Sequence, residues 1–148
     1  MKNKFLNTIT ILLIAFGTNA QDLLPNQVPT NILEKFNQDF SKAKDIEWEK
    51  KGENFEVEFE KGLSALDNKI IYNPAGEILY HKQEITSKEL PETITNKIND
   101  EFPNSRINDV EKIYENGDII YKFEVKQQDK EWDLVTNEAG IIISKKED

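Results

Sequence analysis

The chain has 148 residues, 37% of them hydrophobic and 32% charged, a formal net charge of −9, no cysteine and one histidine, His81. That length and apolar content fit one globular domain or two very small ones. The composition excludes disulfides, thiol catalysis, thiolate metal sites, two-histidine metal sites and histidine proton relays, and so acidic a chain repels nucleic-acid phosphates.

Residues 1–20 read as a secretory signal peptide. Met1-Lys2-Asn3-Lys4 is a basic start, Phe5 to Phe16 a greasy middle and Gly17-Thr18-Asn19-Ala20 a small-residue end. The apolar run of about 12 residues is shorter than the roughly 20 that span a bilayer as a helix, which disfavours a retained anchor. Cleavage after Ala20 leaves Gln21 first, and the mature chain of 128 residues carries 17 basic and 28 acidic side chains, a net charge of −11. It has no second hydrophobic segment for a membrane span and no cysteine for lipid attachment. Export without disulfides suits a bacterial periplasm better than a eukaryotic exterior, so the expected location is periplasmic or secreted.

The next unit, residues 21–86, opens with a helix. Pro29-Thr30-Asn31 supplies a start, and Ile32, Leu33, Phe36 and Phe40 keep helical spacing. Four strands follow at roughly 45–50, 54–61, 66–73 and 77–83, the clearest being the strict alternation of Phe55-Glu56-Val57-Glu58-Phe59-Glu60. The second unit, residues 87–148, repeats the order. Ile94, Ile98 and Phe102 mark a helix after Ser87 and Pro91, stopped by Pro103, and strands follow at roughly 107–115, 118–127, 130–137 and 140–145. Lys51-Gly52 and Asn116-Gly117 turn the first hairpins, Ala75-Gly76 and Ala139-Gly140 the last.

The two units match in sequence. Val28-Pro29-Thr30-Asn31-Ile32 pairs with Leu90-Pro91-Glu92-Thr93-Ile94 at a displacement of 62, as do Phe36 with Ile98 and Phe40 with Phe102. Asn73-Pro74-Ala75-Gly76-Glu77-Ile78-Leu79 pairs with Asn137-Glu138-Ala139-Gly140-Ile141-Ile142-Ile143 at 64. The expected fold class is therefore α+β, a tandem repeat of a helix plus a four-stranded antiparallel sheet in one fused domain, with both helices on one sheet face and the other face open. A half of about 60 residues has a marginal core, so the halves should support each other and unfold together.

Candidate chemistry is sparse. His81-Lys82-Gln83-Glu84 has no second imidazole and reads as a surface site. No spacing supports a triad of Ser64 and His81 with an acid, and neither a calcium loop nor a glycine-rich phosphate loop is present. No catalytic residue, cofactor or metal is expected. In the first unit Glu47, Glu49, Glu53, Glu56, Glu58 and Glu60 alternate with Trp48, Phe55, Val57 and Phe59. With the aromatics toward the helix, the glutamates line the open face. Glu47, Glu49, Glu56, Glu58 and Glu60 are then the candidate partner-binding residues, opposed like charges that a cationic partner or Lys69 and Lys82 would relieve. The plainer reading is a solvated face that keeps the chain soluble. Trp48 and Trp132 read as core, and Tyr72, Tyr80 and Tyr114 as half-exposed sheet residues.

This pattern of an export signal, Pro-started helices, aromatic alternation and Asn-x-Ala-Gly turns resembles the PepSY-like family, similar in fold to the β-lactamase inhibitor protein. The residues that carry it are Val28 to Phe40, Phe55 to Phe59 and Asn73 to Leu79, with Leu90 to Phe102, Ile119 to Val125 and Asn137 to Ile143. The resemblance implies small secreted or envelope proteins of bacteria. It also implies a protein-binding role, since the inhibitor grips an enzyme with the concave face of its sheet. No contact motif transfers to this chain. Two readings follow: a non-enzymatic module that engages or inhibits another envelope protein through the open face, or a small-ligand or cation-binding protein using the acids of the first unit.

Overall fold

The computed structural model describes residues 20–147. Strand β1, Ala20–Leu23, leads through a 3₁₀ turn at Pro25–Gln27 into helix α1, Thr30–Asp39. Four strands come next: β2 Lys44–Lys51, β3 Asn54–Lys61, β4 Leu66–Tyr72 and β5 Ile78–Ile85. A second 3₁₀ turn, Ser87–Glu89, precedes helix α2, Glu92–Glu101, and then β6 Arg106–Glu115, β7 Asp118–Gln127, β8 Lys130–Asn137 and β9 Ile142–Glu147. All nine strands form one antiparallel sheet in chain order.

Both helices begin behind a proline whose fixed φ suits helix entry. The Pro29 carbonyl accepts from the amides of Ile32 and Leu33 at 3.0 and 3.1 Å, and that of Pro91 from Ile94 and Thr95 at 2.9 and 3.1 Å. Pro103 does not set the end of α2 by itself. The first helix has Ser41 at the corresponding place, and both run for 10 residues. Each closes where an aromatic side chain turns into the core. Phe40 packs on Phe36 and Phe59 at ring separations of 5.5 and 4.9 Å, and Phe102 on Trp132 at 4.9 Å.

Strand alternation builds two cores on the face that meets the helices. Ile32 and Phe36 of α1 pack with Trp48, Val57, Phe59, Ile70 and Tyr72, and Phe36 meets the rings of Trp48 and Phe59 edge-on at 5.3 and 5.0 Å. Ile94 and Ile98 of α2 pack with Val110, Tyr121, Phe123, Val125 and Leu134. Burying each such side chain is worth about 1.5–3 kcal/mol. Trp48 and Trp132 are both buried, as their patterns predict. The two cores meet at Ile85, which belongs to β5 yet packs in the second one, where β5 pairs with β6 from Tyr80↔Glu115 to Ile85↔Val110.

One expectation changes, one is narrowed and one is not reached by the described residues. β1 has no counterpart in the sequence reading: it is an edge segment with Leu23 alone packed on a core, too short to show alternation. The eight expected strands, four to a unit and able to run on as a continuous or nearly continuous sheet, form with β1 a single nine-stranded sheet among the described residues. The proposed signal peptide lies outside the described residues except for Ala20, which is the first residue of β1.

Candidate binding face

Register determines which side chains share a face, because successive residues of a strand point to opposite sides. Trp48, Val57 and Ile70 are paired in line and face α1. Glu47, Glu49, Glu56, Glu58 and Glu60 therefore lie on the other side. Glu47 stands opposite Glu58 and Glu49 opposite Glu56 on β2 and β3, while Glu60 stands opposite Asp67 of β4. Glu53 is in the β2–β3 turn.

These carboxylates differ in their surroundings. Glu56 is 6% exposed and sits 3.5 Å from the ammonium groups of both Lys51 and Lys69. Lys51 also holds Glu49 at 2.7 Å, and Lys69 holds Glu58 at 2.5 Å. The Glu49 hydrogen bond raises the Lys51 pKa above its ordinary value. At Lys69 burial disfavours the charge, but the hydrogen bond to Glu58 and the charges of Glu56 and Glu58 outweigh it and the pKa also rises. Lys82 takes no part in this network and pairs with Glu111 across β5 and β6 at 3.2 Å. Glu47 and Glu60 form no ion pair among the described residues. Asp45, Glu47, Glu58, Glu60, Asp67 and Lys69 help line a hollow of about 300 Å³.

Beside the acids runs an apolar band. In register, Ile71 of β4 stands opposite Tyr80 of β5 and Ile113 of β6 opposite Ile120 of β7, with Val135 of β8 paired to Lys122 one step further along; between the two apolar pairs Tyr80 stands opposite Glu115 and Ile113 opposite Lys82, so the pairs adjoin on the diagonal. All five lie on the glutamate side. Ile71 is 5% exposed, flanked by Glu56 and Tyr80, and the other four are half-buried. Burial, followed by the charges of Glu111 and Glu115, raises the Tyr80 pKa. The signal for this band was in the sequence as consecutive apolar pairs, Ile70-Ile71, Ile119-Ile120 and Leu134-Val135. Each pair in a strand must give one side chain to each face.

His81 corrects the surface reading. It faces the helix side, half-buried on β5, with Nε2 3.3 Å from Asn68 Oδ1 and the Phe40 ring edge-on at 5.8 Å. Burial, with Lys61 and Lys112 adding to it, lowers its pKa to about 4, so the imidazole is neutral at pH 7. Ser64 is exposed in the β3–β4 turn. Tyr72 is fully buried against Trp48, and Tyr114 is half-buried on the helix side. Among the described residues no group of three or more His, Asp or Glu side chains could hold a metal ion, and no helix is long and apolar enough to cross a membrane.

A family model described as beta-lactamase-inhibitor-like, PepSY-like matches the chain twice, over residues 17–80 and 67–144. No curated protein matches it. Similar solved structures include a BLIP-like protein from Bacteroides fragilis NCTC 9343, 19% identical, covering 84% of this chain and 88% of that one with a TM-score of 0.59. A DUF2874 family protein from Bacteroides ovatus ATCC 8483 is 18% identical, with coverages of 80% and 86% and a TM-score of 0.58. A protein from Bacteroides eggerthii DSM 20697 described as periplasmic is 14% identical, with coverages of 81% and 88% and a TM-score of 0.60. At these identities the likeness is one of fold.

Proposed function

The chain belongs to the PepSY-like, beta-lactamase-inhibitor-like family, and we propose that it is a non-catalytic binding module that engages another envelope protein through the sheet face opposite its helices. The observation that carries this reading is an apolar band, buried at Ile71 and half-buried at Tyr80, Ile113 and Ile120, beside an acidic border on the sheet side opposite the two cores. Apolar centres with polar rims are the anatomy of protein interfaces. The family description and the BLIP-like neighbour support a protein partner. Export to the periplasm or medium, with cleavage behind Ala20, is supported by the Lys2-to-Ala20 pattern and by the neighbour described as periplasmic.

The face belongs, on this reading, to a duplicated unit. Similar bonds support the duplication: Lys35 Nζ donates to the Gly76 carbonyl at 2.9 Å and Lys97 Nζ to that of Ala139, one residue before the counterpart of Gly76, at 2.6 Å. Asn31 Nδ2 and Thr93 Oγ1 each donate at 3.3 Å, to the carbonyls of Pro74 and Glu138. Asp45 and Asp109, 64 apart, both adopt φ 48° at strand irregularities.

Affinity capture from envelope extracts tests the function. A stoichiometric protein is expected on the native bait and absent from an Ile113→Asp, Ile120→Asp bait that keeps its unfolding midpoint. The same protein on both baits would remove this face from the reading. The hollow favours a second reading, capture of a small cation such as a polyamine by the acids of the first unit. It predicts a saturable rise in melting temperature with spermine, and an unchanged temperature across a cation panel would eliminate it.

A further inference from the structure

Resting on the face proposed above, we infer that its partner is a cationic segment: an aliphatic or aromatic side chain seated on the Ile71–Tyr80–Ile113–Ile120 band, with Lys or Arg three or four residues away reaching Glu47, Glu58 and Glu60. The charge balance across the face argues for this occupant. Asp22 stands opposite Glu49 on β1 and β2, and the acids continue to Glu60 on β3. Against them Lys51 and Lys69 bind only Glu49, Glu56 and Glu58. Asp22, Glu47 and Glu60 form no ion pair among the described residues; with Lys44 opposite Glu60 and Lys82 beside the hollow counted, acids still outnumber lysines here, so one side of the apolar band carries a net negative charge. A second copy of this chain would bring the same excess and be repelled, whereas a cation on the partner is drawn in.

Strand spacing sets the motif. Glu58 lies two strands from Tyr80 and Glu47 three, both two residues along from it in register, so they are roughly 12 and 16 Å away at about 4.8 Å per strand and about 3.3 Å per residue. An extended partner at about 3.3 Å per residue covers about 10–13 Å in three or four residues, and the roughly 6 Å reach of a Lys or Arg side chain spans the remainder. The apolar centre excludes water around the contact, while the border charges set orientation and capture rate, so affinity falls as salt is added.

Selection from displayed random 12-residue peptides on the chain purified from the envelope tests this. Enriched sequences should carry Lys or Arg three or four positions from an aliphatic or aromatic residue. Their binding should weaken about ten-fold on Glu47→Lys, Glu60→Lys and on Ile113→Thr, Ile120→Thr, with unfolding of each variant measured alongside and Glu47→Lys alone as the mildest change. Enriched peptides without basic residues, lost only on the isoleucine variant, would overturn the cationic partner and leave the face intact. Peptides indifferent to both variants, or no enrichment, would overturn the partner and the face together.

Discussion

Glu56 is acidic by sequence pattern and structural by position. Its carboxylate is buried between two ammonium groups, each 3.5 Å away, so its charge serves the sheet before any partner. Glu56→Lys would set a buried cation against the partly exposed ammonium groups of Lys51 and Lys69 and is expected to cost about 3 kcal/mol in urea unfolding, whereas Glu47→Lys at an exposed, unpaired site should stay within about 0.5 kcal/mol. Equal costs would mean that the buried pairing is unimportant. His81 gives a second residue-level prediction. Its folded pKa of about 4 lies below the ordinary 6.5, so the unfolded chain takes up the proton first. The stability owed to the neutral ring is whole above pH 6.5 and is lost as the pH falls toward 4. Unfolding of the native chain and of His81→Gln, compared at pH 7 and pH 4.5, should show the larger loss in the native chain; parallel losses would contradict it. The lone histidine could be counted from the sequence, but its environment could not, because Phe40 and Asn68 reach it only through the fold.

At the scale of elements, the strands with strict alternation were legible almost to the residue: β3, β7 and β8 occupy the expected 54–61, 118–127 and 130–137. β1 was not, since four edge residues with one core contact carry no period. The glutamate stripe drew the eye to one half of the face, while Ile71, Ile113 and Ile120 were hidden inside runs that read simply as core. The loops that close the last hairpins press against the helices. At Gly140, φ is 73° and an added Cβ would lie 3.0 Å from the Thr93 carbonyl oxygen and 3.3 Å from Ile94 Cα. Gly140→Ala should therefore destabilise the chain more than Gly52→Ala, where φ is also positive but nothing lies within 4 Å. Thermal unfolding of the two variants decides this, and equal shifts would show that the loop yields without resisting.

For the whole molecule, the continuous β5–β6 ladder and Ile85 tie the two cores into one body. A single cooperative transition is expected by both far-ultraviolet circular dichroism and tryptophan fluorescence, with Trp48 in one core and Trp132 in the other. Two separated transitions would mean that each half folds alone. Paired motifs in the sequence point to a repeat and allow a continuous sheet, but the β5–β6 pairing that makes the sheet continuous could not be read there, because its register leaves no local mark. The face that results is the centre of the functional account. Isoleucine methyl NMR reports on it directly, since Ile70 and Ile71, like Ile119 and Ile120, are chain neighbours on opposite sides of the sheet. On adding the captured partner, the methyl signals of Ile71, Ile113 and Ile120 should shift while those of Ile70, Ile119 and Ile32 stay in place. Shifts confined to the helix-side set would contradict the account.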